Sequence, residues 1–133
     1  MLFRSFRAIA KLMDEPVLQP IYDLETPQMA FGRVAIVGDA AFVARPHVGA
    51  GVSKAADDAS ALADALAADE VAPALKRFEA ARLPVGRRII ERARHLGAYL
   101  QATQTAEERA HAGRYSTAQA VIEETALVDF LEV

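Results

Sequence analysis

A chain of 133 residues, 53% of them hydrophobic and with a formal net charge of −3, has the size and composition of one folded domain with a single core rather than of a disordered segment. The mild negative charge gives no global attraction to nucleic acid or to an anionic membrane, and no apolar stretch approaches the roughly 18 residues needed to cross a bilayer. Without cysteine there is neither a disulfide framework nor a thiolate metal site, which fits a reducing cytoplasm.

Along the chain, residues 2–13 place Leu2, Phe3, Phe6, Ile9, Ala10 and Met13 three and four positions apart, the spacing of one helical face. The segment is basic and amphipathic, but it has no long apolar core and no small-residue cleavage site, so it reads as a structural helix. Pro16 and Pro20 end it, and residues 17–24 read as an extended segment that Pro20 confines to a sheet edge or an irregular strand. Residues 33–37 are a short apolar run with the character of a buried parallel strand covered on both faces. A helical pattern covers 51–68. Asp69 and Glu70 break it, 71–82 form another helix, and Pro84 suits the first turn of a longer one running to about Thr103. The tail, 106–133, is expected to be helical in pieces with an interruption near Gly113. In the first of these helices Ala55, Ala56, Ala59, Leu62, Ala63 and Leu66 form the packed face, with Asp57, Ser60 and Asp64 opposite. Asp58 lies nearer the apolar side, where a carboxylate is expected to be buried and paired.

Between the apolar run and that helix lies GDAAFVARPHVGAG, residues 38–51. Gly38 and Asp39 put a carboxylate at the carboxyl end of a strand, the edge at which open α/β sheets bind ligands. Gly49 and Gly51, beside Ala50 and Val52, precede a helix whose first N–H groups and dipole favour negative charge. Two readings stand side by side. One is a ligand site in which the carboxylate binds a hydroxyl and the helix start faces an anion. The other is a tight strand–helix connection with Asp39 as its cap.

Residues 38–66, GDAAFVARPHVGAGVSKAADDASALADAL, resemble the second FAD-binding motif of the single-component flavoprotein aromatic hydroxylases. Gly38, Asp39, Ala40, Ala41, Pro46, Gly49, Gly51, Asp58, Ala59, Leu62, Ala63 and Leu66 carry the match, and Arg45-Pro46-His47 is most similar to the 2,6-dihydroxypyridine 3-hydroxylase-like branch. Phe42 stands where the family often has histidine. The ADP-binding GxGxxG motif and the family's middle Asp-Gly motif do not occur.

The resemblance implies an α/β fragment, mostly helical: the C-terminal part of an FAD/NAD(P)-binding Rossmann-like hydroxylase fold with one or two strands and a C-terminal helical region. Residues 1–24 are then a remnant of the substrate domain, 25–70 the C-terminal portion of the FAD-binding domain, and 71–133 a C-terminal helical region. It implies FAD as cofactor, NADH or NADPH as reductant and a small aromatic substrate hydroxylated through a flavin C4a-hydroperoxide. Asp39, after Gly38, would accept from the ribityl chain. Backbone at Gly49, Ala50, Gly51 and Val52 would face the pyrimidine side of the ring, with Pro46 and His47 beside the ring. It further implies that the missing N-terminal half or a second copy completes the site, as a cytoplasmic homo-oligomer without nucleic-acid or membrane partners.

The residues themselves leave other readings open. His47 is either an acid or base beside substrate or a packed side chain. His95 and His111 have no metal-ligand spacing, and Lys54 reads as a surface lysine with phosphate attraction as the alternative. Arg82, Arg87, Arg88, Arg92 and Arg94 make a basic run that a nucleic-acid patch would need, but no aromatic residues interleave it. Pairing within the protein or between subunits is expected instead, with Glu91 inside the run and Glu123, Glu124, Asp129 and Glu132 of the tail on offer, over a buried stripe of Val85, Ile89, Leu96 and Leu100. The alternative function is a non-catalytic helical interaction or regulatory module that keeps the flavin motif as scaffold.

Overall fold

The structure is a computed structural model that describes residues 2–15, 17, 19–98, 103–114 and 117–126. Its elements run α1 (Leu2–Lys11), β1 (Leu24–Glu25), β2 (Ala30–Phe31), β3 (Val34–Ala35), a 3-10 turn (Gly38–Ala40), β4 (Phe42–Val43), a second 3-10 turn (Pro46–Val48), α2 (Gly51–Ala68), α3 (Val71–Ala98), α4 (Ala106–Arg114) and α5 (Ala118–Ala126). The mostly helical α/β character agrees with the sequence reading.

The strands differ from it. The apolar run at 33–37 does not form a parallel strand covered on both faces. Instead, β3 pairs antiparallel with β2, Ala30 opposite Ala35 and Phe31 opposite Val34. Only part of the run reaches the core: Ala35, Ile36 and Val37 pack against it, while Val34 is 61% exposed. β1 pairs antiparallel with β4, Leu24 opposite Val43.

The helices also correct two expectations. Residues 71–98 form one helix, not two meeting at Pro84. Proline lacks the N–H that the helix ladder uses, but its ring lies on the exposed side, and buried Val85, Gly86, Ile89 and Ile90 hold the next turns against the body. In α2 the buried side chains are Lys54, Asp58 and Ala65, whereas Ala56, Ala59, Ala63 and Leu66 are exposed. The packed face is therefore rotated from the alanine stripe, because an i,i+4 ion pair sits in it.

α2 and α3 pack on each other. The main core, Met29, Ala41, Phe42, Ala65, Ala74, Phe78 and Ile90, joins them to the loop side, and a smaller cluster of Ala50, Val85 and Ile89 continues it. Glu79 of α3 accepts the amides of Met29 and Ala30 at 2.6 and 2.8 Å. α1 forms over most of the predicted span, but Phe6, Ile9 and Met13 remain 65%, 58% and 50% exposed.

The tail is helical in pieces as expected: α4 ends at Arg114, one residue past Gly113, and α5 begins at Ala118. Thr105 and Glu108 close a reciprocal capping box at the start of α4 (3.2 and 2.7 Å), and the Thr117 hydroxyl caps α5. Leu100, Asp129, Glu132 and the Glu124 side chain lie outside the described residues. Among the described residues no helix is long and apolar enough to cross a membrane.

Candidate functional site

Gly38 closes the apolar run with φ +57°, a left-handed conformation, and a Cβ there would also lie 3.2 Å from the Cβ of Ala55. Glycine thus serves twice, for the backbone and for the approach of α2. Both polar groups of its backbone are tied to α2: the amide donates to Asp58 Oδ2 (3.1 Å) and the carbonyl accepts from Lys54 Nζ (3.1 Å). Lys54 and Asp58 bond each other at 2.7 Å, and Arg82 Nε of α3 donates to the other Asp58 oxygen at 2.8 Å. Lys54 is 2% exposed and Asp58 1%, so charges at this depth persist only because each is paired. Asp39 follows on the outside of this clamp, exposed and without a partner among the described residues.

The chain then crosses in β4, where Phe42 is buried with Lys54 Nζ 5.4 Å from its ring centroid. It turns at Pro46–Val48 and leaves through Gly49, whose φ of +65° is again left-handed. α2 starts at Gly51, where the helical pattern of the sequence begins, with buried Ala50 at the N-cap and no side-chain cap. Its first-turn amides therefore keep the donor capacity that attracts anions. Gly51 itself has no left-handed φ and open space around it, so of the two glycines only Gly49 is required by backbone conformation.

Arg45 Nε donates to Asp23 Oδ2 at 2.8 Å, and Arg94 Nη2 of α3 donates to Asp23 Oδ1 at 2.8 Å. The hydrogen bond from Arg94 holds the Asp23 carboxyl below its ordinary range; burial opposes this and Arg45 adds to it. Reciprocally, Asp23 raises Arg94 further. The pair fastens the extended segment 19–23 to the Arg-Pro-His loop. Between them opens a cleft of about 530 Å³ walled by Gln19, Pro20, Ile21, Tyr22, Val43, Ala44 and Pro46. Half-buried His47 rests its Cδ2 edge over Gly97 of α3, where a Cβ would come within 3.0 Å of it and of Arg45 Nη1.

Of the sequence-derived site residues, Pro46 lines this cleft; Asp39 and residues 49–52 lie outside its lining. The 3-10 turn carrying Gly38 and Asp39 packs on α2, and the one carrying Pro46 and His47 packs on α3. Lys54 is not the surface side chain expected but a buried one. Of the arginine run, Arg82 pairs with Asp58, Arg87 with Glu25 and Arg94 with Asp23 and Glu25, while Glu123 of the tail bonds Gln119. His95 and His111 stack with ring centroids 4.5 Å apart. Sequence reasoning missed Glu79, the Asp23 bridge and the spacer glycines Gly86 and Gly97. The i,i+4 spacing of Lys54 and Asp58, and glycines inside an otherwise helical pattern, were the available signals.

The exposed Asp39 carboxylate, the left-handed turns and the uncapped helix start suit a ligand carrying hydroxyl donors and an anionic edge, as a flavin does. Comparison with known proteins gives a match of the FAD binding domain family to residues 20–93. The chain is 32% identical over 101 residues to the 2,6-dihydroxypyridine 3-monooxygenase of Paenarthrobacter nicotinovorans, covering 75% of this chain and 25% of that protein. It is 51% identical over 55 residues to the 3-hydroxy-4-methyl-anthranilyl-[aryl-carrier protein] 5-monooxygenase of Streptosporangium sibiricum, covering 41% of this chain and 16% of that protein. With a salicylate hydroxylase of Pseudomonas putida it shares 43% over 58 residues, 43% of this chain and 13% of that enzyme. The chain thus spans a quarter or less of the length of these relatives. No solved structure matches it.

Proposed function

The chain belongs to the family of FAD binding domains, with FAD as its cofactor, and from that premise we propose that it forms the ribityl- and pyrimidine-facing portion of a flavin monooxygenase. The reaction proposed is NAD(P)H-dependent hydroxylation of an aromatic or N-heteroaromatic ring. One observation carries the reading: Asp39 holds an exposed carboxylate on a turn whose preceding residue, Gly38, is held by both its amide and its carbonyl. An ionised carboxylate only accepts hydrogen bonds and takes them from hydroxyls such as those of a ribityl chain. The first-turn amides at Gly51 and Val52, reached through Gly49 and Ala50, favour the negative charge of a reduced flavin's pyrimidine edge.

FAD held there would supply the redox chemistry, with NADH or NADPH as the source of reducing equivalents. The residues of the chain bind and orient. Pro46, which lines the cleft, would flank the ring, and His47 beside it is the candidate proton carrier. A cleft of about 530 Å³ with apolar walls at Ile21, Val43 and Pro46 has the size for a small aromatic substrate, in line with the substrates that the relatives' names state. Residues 1–24 are assigned to a remnant of the substrate domain, 25–70 to the C-terminal portion of the FAD-binding domain and 71–133 to the helical support. Exposed Phe6, Ile9, Phe31 and Val34 support completion by a further part of the enzyme or by a second copy.

Titration of the chain with FAD, FMN and riboflavin, read by quenching of flavin fluorescence, tests the reading. Because the sequence has no GxGxxG, the affinity should be weak and nearly the same for all three, and little FAD should survive purification. Binding of ADP but not of riboflavin, or of none of these ligands, would refute it.

A further inference from the structure

We propose that Lys54 and Asp58 are positioning residues for Asp39, an inference that rests on the flavin reading above. Asp58 takes the amide of Gly38 and Lys54 donates to its carbonyl, so the residue is held on both sides, and Asp39 is the next residue along. Neither touches the proposed ligand: they are 2% and 1% exposed, beneath the turn that presents Asp39. Arg82 fixes the far oxygen of Asp58 at 2.8 Å, and the Lys54 ammonium lies 5.4 Å from the Phe42 ring centroid, so the clamp is anchored to α3 and to β4.

The charges in the cluster are unequal in number. Lys54 and Arg82 are two cations sharing the single carboxylate of Asp58. Removing Lys54 leaves an Asp58–Arg82 pair that balances, so the fold tolerates the change. Removing the carboxylate leaves two buried cations facing each other, so it does not. Lys54→Met is therefore the informative variant. It deletes the donor to the Gly38 carbonyl while preserving stem volume and the rest of the network. Lys54→Gln keeps a donor near that carbonyl and serves as the conservative rescue.

Two measurements on the 133-residue chain test the proposal. The first is amide hydrogen exchange at Gly38. Lys54→Met should speed it roughly tenfold, as loss of one buried hydrogen bond at the turn permits local opening, while the amides of the last turns of α2 keep their protection. Unchanged exchange at Gly38 overturns the clamp.

The second is riboflavin affinity in a double-mutant cycle with Asp39→Ala. Lys54→Met should weaken binding roughly fivefold to tenfold in the parent, Lys54→Gln should restore most of it, and neither should matter once Asp39 is gone. An equal loss in the Asp39→Ala background means that Lys54 does not act through Asp39, which refutes the positioning role while leaving the flavin reading intact. If Asp39→Ala changes nothing, or the parent binds no riboflavin, the flavin reading fails and the ligand half of this proposal falls with it.

Discussion

Gly86 lies in the middle of α3, where helix propensity alone predicts that alanine would stabilise the protein by about 1 kcal/mol. The structure predicts the opposite sign. A Cβ on Gly86 would lie 2.4 Å from both Phe42 Cδ2 and Phe42 Cε2 and 2.8 Å from Cγ. Carbon atoms prefer a separation of about 3.5–4.0 Å, so the overlap exceeds 1 Å by roughly that standard. Phe42 has no room to retreat: it is 1% exposed, belongs to the main core and is held by the β4–β1 pairing, with Glu25 opposite it. Overpacking of this kind costs about 3 kcal/mol at the upper end of the usual range. Setting the propensity gain against it leaves Gly86→Ala less stable by about 2 kcal/mol. Urea unfolding followed by circular dichroism measures this as a lower midpoint at unchanged slope. Gly113→Ala in α4, where nothing lies within 4 Å of the added carbon, is the control and should be neutral or stabilising. Phe42→Leu combined with Gly86→Ala should cost less than the sum of the two. Stabilisation by Gly86→Ala equal to that of the control would refute the close approach of β4 to α3.

Four further outcomes follow from the same geometry. Asp39→Ala should weaken flavin binding by about 1.5–3 kcal/mol, roughly tenfold or more in the dissociation constant, without shifting the unfolding midpoint; an unchanged constant makes Asp39 a loop residue only. Asp58→Asn should destabilise by about 3–5 kcal/mol, because Lys54 and Arg82 lose their shared counter-charge; a loss below about 1 kcal/mol, the range of exposed pairs, contradicts the buried network. Gly49→Ala should cost about 1–2 kcal/mol at a left-handed φ, whereas Gly51→Val should stay within about 0.5 kcal/mol in stability yet abolish flavin binding in the titration. The folded-state pKa of Asp23 is depressed from the ordinary value of 3.8, so its ionised form adds stability that is complete above about pH 5 and disappears as pH falls through the lowered pKa. The stability gap between the parent and Asp23→Asn should therefore be constant at neutral pH and close in acid, and a gap that widens below pH 3.8 would reverse the assigned sign.

Legibility followed the range of the determining interactions. Helix starts and stops were readable because local chemistry sets them: Asp69 breaks between α2 and α3, and Thr105 with Glu108 caps α4. The loop at 38–51 was readable because glycine carries its backbone demand in its identity, although Gly49 rather than Gly51 turned out to be the left-handed one beside the helix. Pairing across the chain was not readable. The direction of the strand at Val34 depends on which neighbour reaches it, and β2 reaches it through a tight turn. The buried face of α2 could not be taken from hydrophobicity, since its two most buried side chains are a lysine and an aspartate whose partners lie on Gly38 and α3. The continuity of α3 through Pro84 was likewise decided by tertiary burial on the turns that follow, against the local preference.

The long helix explains how a loop with so little regular structure is given a shape. Contacts along α3 meet the loop side in succession. Glu79 takes the amides of Met29 and Ala30, and Arg82 takes Asp58 beneath the turn at Gly38. Gly86 admits Phe42, Arg94 takes Asp23, and Gly97 admits Arg45 and His47. Two devices recur: a charged side chain where the loop presents a polar group, and a glycine where it presents bulk. Each fixes one point of the loop, and together the points span it from the strand to the Arg-Pro-His turn. A helix that is continuous from Val71 to Ala98 can hold these points in register, whereas two helices hinged at Pro84 would let Gly97 move relative to Glu79. The unbroken α3 is thus a condition for the geometry of residues 38–51, and a helix break engineered near Arg88 should loosen the Arg-Pro-His turn before it disturbs the clamp at Gly38.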